Sequence, residues 1–214
     1  MNIHLNSYDV RPLTFLPLTA LLFLTSCFGS SAVEYKEVTV DNTYKLLVPQ
    51  SMKRSNELHD FARLQYSDEE SGYFLIGIDE SKSDLNRLNL FYQLEDYAHF
   101  VTRTVAEGLD TVNVAAQQAD SINGLNVIST DMFGAMVATE EPLEVYYRLL
   151  VLESDRNFYQ LISWTSRDRV TQFRPIAEEI ECSFMELAFA EEETDPKNDV
   201  GGSQPAGSGD DADE

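Results

Sequence analysis

The sequence predicts an α+β fold, in which a twisted antiparallel sheet is flanked by two main helices. Two observations predict it. Short segments of alternating apolar and polar residues are separated by polar turns, as is typical of antiparallel strands, and two longer segments carry apolar residues at helical steps of three and four. The strands form runs on both sides of the first helix, an order that favours helices packed on a sheet. With 214 residues, 43% of them hydrophobic, the chain can bury one sizeable core.

Four strands are predicted before the first helix. Pro49 ends the second, because proline cannot donate a hydrogen bond to a sheet. The polar segment 67–72 is a hairpin loop between the last two, and the fourth strand is apolar enough to be central. The predicted strands are Tyr35–Val40, Tyr44–Val48, Asp60–Tyr66 and Tyr73–Ile78.

The first helix is predicted over Leu90–Leu109. Phe91 and Phe100 widen its apolar stripe, and Gly108 marks its end. The stripe consists of Leu94, Tyr97, Ala98, Val101, Val105 and Leu109.

The strands between the two helices contain the clearest turn signal of the chain. Asn123-Gly124 tolerates positive φ at both central positions of a two-residue turn, so it predicts a hairpin. The predicted strands of this part are Val112–Gln118, Leu125–Phe133, Leu143–Glu153 and Phe158–Thr165.

The last helix is predicted over residues 167–181, with Thr165 or Ser166 as its cap. Pro175 lacks a backbone donor and predicts a kink or break near Arg174. The inner face consists of Val170, Phe173, Ile176, Ala177 and Ile180.

The charge is strongly negative, with 37 acidic residues against 15 lysines and arginines and a net charge of −22. Nucleic acid is therefore excluded as a partner, because binding phosphates requires a basic patch. Residues 190–214 are rich in acids, glycine and proline and have few aliphatic side chains, so we predict a disordered acidic tail. The folded domain is accordingly assigned to residues 34–189.

The N-terminal segment is typical of an export signal. The apolar run Leu13–Leu24 has 12 residues, whereas a membrane-spanning helix needs about 20. It ends in Leu24-Thr25-Ser26-Cys27, which resembles the lipobox of bacterial lipoproteins. The resemblance implies removal of residues 1–26, diacylglyceryl and palmitate-type acylation of Cys27, and a lipidated linker over residues 27–33.

That resemblance implies a bacterial cell-envelope protein, bound to the membrane through the lipid on Cys27. Phe28, rather than an aspartate, follows the cysteine, which favours the outer membrane, facing the periplasm. The alternative is an ordinary secretory signal cut at Ser30-Ser31-Ala32, which would release a soluble protein.

Catalytic and metal-binding patterns are not found in the sequence. His59 and His99 lack the spacing of a zinc site, and Cys182 lies between apolar residues, which predicts a small buried side chain. The acids of Asp68-Glu69-Glu70 and of Glu140-Glu141 are interpreted as solvated turns. We therefore predict no catalytic residue, no metal and no cofactor.

Aromatic residues cluster on two strands that are predicted to pair. Because successive side chains of a strand point to opposite faces, some of these rings belong to the core and the others are either covered by the helices or form an aromatic binding face. Cover by the helices is the favoured interpretation. The cluster consists of Tyr146, Tyr147, Phe158, Tyr159 and Trp164.

The order of elements from Glu34 to about Leu187 resembles the PsbP-like superfamily, which includes DcrB-type envelope lipoproteins and a Ran-binding nuclear transport factor. The marks that carry the resemblance are the early strand ending in Pro49, the helix before mid-chain, the Ile122-Asn123-Gly124 hairpin, the strand with Tyr146-Tyr147, the strand Tyr159–Trp164 and a last helix ending in Ser183-Phe184. The resemblance implies a twisted antiparallel sheet flanked by helices, and roles in binding, assembly or stabilisation rather than catalysis.

The leading hypothesis is thus a lipid-anchored, non-enzymatic envelope protein that binds or stabilises an envelope protein partner, which the sequence does not identify. A soluble secreted binding module is the first alternative. An envelope hydrolase using carboxylates is the second, and it would require a pocket in which two or more carboxylates converge.

Overall fold

The computed structural model describes residues 32–136 and 142–188. The predicted signal segment, Cys27, the acidic tail and Glu140-Glu141 lie outside these ranges. The described part is α+β, with a large antiparallel sheet and two main helices, as the sequence predicts. Within the described ranges, no helix has both the length and the apolar content needed to cross a bilayer.

The large sheet contains eight strands. They are β3 (Lys53–Arg54), β4 (Leu64–Asp68), β5 (Tyr73–Ser81), β6 (Asp110–Val114), β7 (Gln118–Ile122), β8 (Leu125–Met136), β9 (Leu143–Glu153) and β10 (Asn157–Ser166). Their order is β3-β4-β5-β10-β9-β8, and β6 and β7 both pair with β8. The predicted hairpin is confirmed, since Ile122 pairs with Leu125, and Asn123 and Gly124 have φ values of 48° and 87°.

Two layers cover the two faces of this sheet. On one face lie α3 (Val170–Cys182) and a small sheet of β1 (Tyr35–Val40), β2 (Tyr44–Pro49) and β11 (Met185–Glu186), around a core that includes Tyr146 and Phe173. On the other face lies α2 (Leu94–Glu107), around a second core that includes Tyr97 and Phe158. The side chains of each strand alternate between these two cores.

The predicted Leu90–Leu109 helix is wrong in its bounds. A short helix α1 (Lys82–Arg87) comes first, and the chain then turns through Asn89, whose φ is 59°. Helix α2 begins only at Leu94, so Phe91 lies outside it and is 72% exposed.

The predicted strand Asp60–Tyr66 is also wrong at its start, because β4 begins at Leu64. Residues 55–63 instead form a loop, and the buried side chain of Gln65 holds it. The Gln65 amide oxygen accepts hydrogen bonds from the backbone N–H groups of Leu58 and His59, and its nitrogen donates to the carbonyls of His59 and Ala62. Four hydrogen bonds to one amide thus replace the backbone pairing of a strand.

The predicted break at Pro175 is absent. A 3₁₀ turn over Arg167–Arg169 precedes α3, and α3 continues through Pro175 to Cys182. The change from 3₁₀ to α-helical geometry therefore falls at Val170, five residues before Pro175.

Candidate functional site

An apolar groove lies between α2 and the β5–β10 part of the large sheet, and we call it the α2 groove. Its volume is about 510 Å³, within the range of about 300–1,000 Å³ typical of small-molecule sites. The residues that line it are Leu58, His59, Phe61, Ile76, Ile78, Glu80, Phe100, Val101, Thr104, Val105, Met136, Tyr147, Gln160, Ile162 and Trp164.

Two partly buried rings, those of Tyr147 and Trp164, lie in the floor of the groove, and Phe74 continues their row outside the lining. Trp164 of β10 is paired with Phe74 of β5 and with Tyr147 of β9. The three rings stack, with centroids 5.2 Å apart for Phe74–Trp164 and 5.8 Å apart for Tyr147–Trp164. Ile76 of β5 and Ile162 of β10 are directly paired across the two strands, and both side chains line the floor next to the rings.

Helix α2 forms one wall. Val101 faces the core and is 2% exposed, whereas Phe100 and Thr104 are exposed along the groove. The Phe100 ring is 36% exposed and stacks on Tyr92 with a centroid distance of 5.8 Å.

The loop held by Gln65 forms the opposite wall. Its Phe61 is 81% exposed, the most exposed large apolar side chain among the described residues. The His59 and Phe61 rings meet edge-on at 6.1 Å, and the Phe61 backbone N–H donates to His59 Nδ1. Exposed apolar rings on both walls are typical of a binding surface rather than of a finished core.

One polar network lies in the groove. The Tyr97 hydroxyl donates a hydrogen bond to Glu80 Oε2, and Gln160 Nε2 donates to the Tyr97 hydroxyl at 2.6 Å. Burial, followed by the hydrogen bond to the Glu80 carboxylate, raises the pKa of Tyr97, so its phenol stays protonated. Tyr97 is fully buried and stacks on Phe158 at 4.3 Å, which fixes the position of the network beneath α2.

A second pocket, of about 420 Å³, lies beside Glu80, and three carboxylates line it, those of Asp79, Glu80 and Asp84. Asp79 and Glu80 are successive residues of β5 and point to opposite faces of the sheet, so the pocket does not bring the three carboxyl groups together as the hydrolase alternative requires. Two of the acids pair with cations, since Asp79 Oδ2 lies 3.2 Å from Arg63 and Asp84 pairs with Arg87. Glu80 accepts from neutral donors, and the buried Oδ1 of Asp79 has no hydrogen-bond partner among the described residues. Burial raises the pKa of Asp79. We interpret these contacts as structural and give this pocket no catalytic role.

The predicted burial of Cys182 is wrong, because this residue is exposed at the end of α3. Partial burial and the nearby acids Glu181, Glu179 and Glu178 raise the pKa of its thiol, which disfavours the reactive thiolate. Asp68 is also not a solvated acid. Its side chain is 9% exposed. Burial by itself would raise the pKa of Asp68, but hydrogen bonds, including one from the Ser71 backbone N–H, outweigh this and lower the pKa.

The two histidines lie in different places. His59 lines the α2 groove, while His99 is exposed on α2 beside Gln117. Among residues 32–136 and 142–188, no cluster of three or more His, Cys, Asp or Glu side chains is placed to hold a metal ion.

The aromatic cluster divides between core and groove. Tyr146, Phe158 and Tyr159 are buried, as the favoured interpretation expects, but Tyr147 and Trp164 remain half-exposed in the groove. Sequence reasoning missed Phe61 and the exposure of Phe100. The sequence does indicate the exposure of Phe100 indirectly. Its ring widens the apolar stripe of α2 beyond the residues that form the buried face of the helix.

Comparison with solved structures identifies the fold. The solution structure of cyanobacterial PsbP (CyanoP) from Synechocystis sp. PCC 6803 superposes with a TM-score of 0.53 at 15% identity, covering 77% of this chain and 99% of CyanoP. The chain has a PsbP-like fold. At this identity the likeness concerns the fold alone.

Two further matches are weaker. LpqN of Mycobacterium tuberculosis, a protein involved in cell envelope biogenesis, matches with a TM-score of 0.47 at 14% identity, covering 73% of this chain and 92% of LpqN. PA94 of Pseudomonas aeruginosa, of unknown function, matches with a TM-score of 0.40 at 10% identity, covering 70% of this chain and 94% of PA94. No sequence family and no curated protein sequence matches the chain.

Proposed function

We propose that the protein is a lipid-anchored, non-enzymatic binding protein of the bacterial cell envelope, and that the α2 groove is its binding site. The observation that carries the proposal is the groove itself, in which half-exposed rings of the sheet face exposed Phe61 and Phe100 on the two walls. The PsbP-like fold is consistent with a binding role.

The proposed anchor is Cys27, in the outer membrane facing the periplasm. Strand β1 begins at Tyr35, eight residues after Cys27. Even a fully extended linker of that length spans only about 28 Å, so the anchored domain would stay close to the bilayer surface. A protein held there meets amphiphilic molecules and the apolar parts of envelope proteins.

Cys27→Ser is expected to abolish the incorporation of labelled palmitate and to move the protein from the membrane fraction to the soluble fraction. The physical reason is that stable anchoring requires the acyl chains, which the serine cannot receive in the same way. Metabolic labelling of both forms, with Cys182→Ser as the matched control, checks this. Absence of label from the wild type, with the protein in the soluble fraction, would favour the soluble secreted alternative, and equal labelling of wild type and Cys27→Ser would contradict Cys27 as the lipidated residue.

Thr104→Phe is expected to weaken groove binding at least about tenfold, because a ring at this exposed wall position would fill the cavity without entering the core. The neutral apolar dye N-phenyl-1-naphthylamine is a suitable probe, and its fluorescence rises in an apolar site. Thr102→Phe is the control, since Thr102 also bonds a helix carbonyl but does not line the groove. The binding-site assignment fails if the dye does not bind, or if both variants weaken it equally.

A further inference from the structure

We propose that the natural occupant of the α2 groove is an amphiphile with an apolar body and a protonated amine head, and that Glu80 receives the amine. This inference rests on the proposed function, because it names the ligand chemistry of the same groove. It is carried by the charge of the lining residues and by the hydrogen bonds of Glu80.

Glu80 is a carboxylate without a cation. Its hydrogen bonds in the described structure come from two neutral donors, the Tyr97 hydroxyl and Gln160 Nε2, and both reach Oε2. Its other oxygen, Oε1, accepts no hydrogen bond from a described residue. The nearby cations are used elsewhere, since Arg63 pairs with Asp79 and Lys82 pairs with Glu153.

Glu80 gives the groove a negative charge that no lysine or arginine of its described lining offsets, and His59 is the one basic side chain there. Among its described lining residues, Glu80 is the one carboxylate, and lysine and arginine are absent. The whole chain carries a net charge of −22, which adds to the negative potential. Walls of low polarity strengthen the attraction of a carboxylate for a cation, so an ammonium group is favoured and an anionic head such as a fatty-acid carboxylate is disfavoured.

The rest of the groove fits the apolar body. From Glu80 the floor continues along β10 from Gln160 through Ile162 to Trp164, where the row of stacked rings begins. A strand rises about 3.3 Å per residue, so the four residue steps from Gln160 to Trp164 span about 13 Å. A chain of about ten to twelve carbons, with its amine at Glu80, would reach the rings.

The test uses three probes of equal chain length, namely dodecylammonium, dodecanol and dodecanoate, below the concentrations at which they aggregate. Each is titrated against bound N-phenyl-1-naphthylamine at pH 7, and intrinsic fluorescence provides a second readout, because Trp164 is the single tryptophan of the chain. We expect dodecylammonium to displace the dye at about tenfold lower concentration than dodecanol, and dodecanoate to be the weakest.

Glu80→Gln is expected to remove the preference for dodecylammonium over dodecanol, measured as the ratio of the two displacing concentrations within the variant itself. The control is Glu95→Gln, which removes the same charge from an exposed position of α2 outside the groove. The wild-type comparison of the three probes needs no variant, so the inference stays testable if Glu80→Gln does not fold.

The outcomes separate the two proposals. No binding of the dye to the wild type would overturn the proposed function and the inference together. Binding of the dye with equal displacement by the three probes would overturn the inference alone. Loss of the preference in Glu95→Gln as large as in Glu80→Gln would also overturn it, because general attraction to an acidic protein would then explain the amine binding.

Discussion

Replacing Arg148 with methionine is expected to lower the free energy of unfolding by about 3–5 kcal/mol. Arg148 lies on β9 beneath α3, where its Nε donates to both oxygens of Glu181 at 2.9 and 3.0 Å and its Nη1 donates to Asp131 at 3.2 Å. The three side chains are only 7–15% exposed. Methionine would leave the Glu181 carboxylate buried without its cation, whereas Asp131 would keep its ion pair with Arg174.

The loss should depend on pH. Burial raises the pKa of Glu181, and Arg148 opposes this shift, so the pKa rises further when Arg148 is removed. A carboxyl group whose pKa is higher in the folded than in the unfolded protein favours the folded state at low pH, and that contribution is lost as the pH rises through the folded pKa. Urea unfolding of the variant at pH 7 and pH 5 should therefore show a smaller deficit at pH 5.

Arg63→Met is the matched control. Arg63 also pairs with two acids, but its side chain is 51% exposed and only one of its partners, Asp79, is largely buried, so we expect at most about half the loss of Arg148→Met. Equal losses for the two arginines, or a deficit of Arg148→Met that grows as the pH falls, would contradict this account of the buried network.

Phe158→Ala is expected to cost about 3–5 kcal/mol as well, because it removes a ring from the core beneath α2. Phe158 is 1% exposed, and it stacks on Tyr97 at a centroid distance of 4.3 Å and a tilt of 17°. The cavity would lie next to Tyr97, so the polar network with Glu80 should also loosen. Thermal and urea unfolding measure the loss.

Phe61→Ala is the counterpart of this variant at the rim of the groove. Since Phe61 is 81% exposed, its removal should change the stability by no more than about 0.5 kcal/mol. It should nevertheless weaken dye binding, because the ring forms part of a wall. The division between core and groove would be wrong if Phe61→Ala destabilised the protein as much as Phe158→Ala.

The elements whose signals are local could be predicted from the sequence. The Asn123-Gly124 turn requires only the conformational freedom of two adjacent residues, and Leu143–Glu153 is predicted with the bounds that β9 has. The start of β4 could not be predicted in this way. The alternation over residues 60–66 fits a strand, but the Gln65 side chain binds the loop backbone instead, and such a contact leaves no periodic pattern.

The candidate site could be predicted only in part, for the same reason. The apolar stripe of α2 indicates which residues prefer burial, but whether Phe100 is covered depends on where the loop with Phe61 crosses the sheet. Glu80, Tyr97 and Gln160 belong to three different elements. Tyr97 is 17 positions from Glu80 and 63 positions from Gln160 along the chain, so no local pattern connects them. Strand alternation predicts that the five aromatic residues divide between two faces, but only the register of β9 and β10 shows that Trp164 and Tyr147 share the face of the groove.

The most direct test of the account is an NMR titration of the ¹⁵N-labelled protein with dodecylammonium. If the α2 groove is the binding site, the largest shifts will fall on the Trp164 indole N–H and on the backbone amides of residues 100–105 and 58–61. Shifts concentrated instead on exposed acidic turns such as residues 69–72, with the Trp164 signal unchanged at saturation, would contradict it.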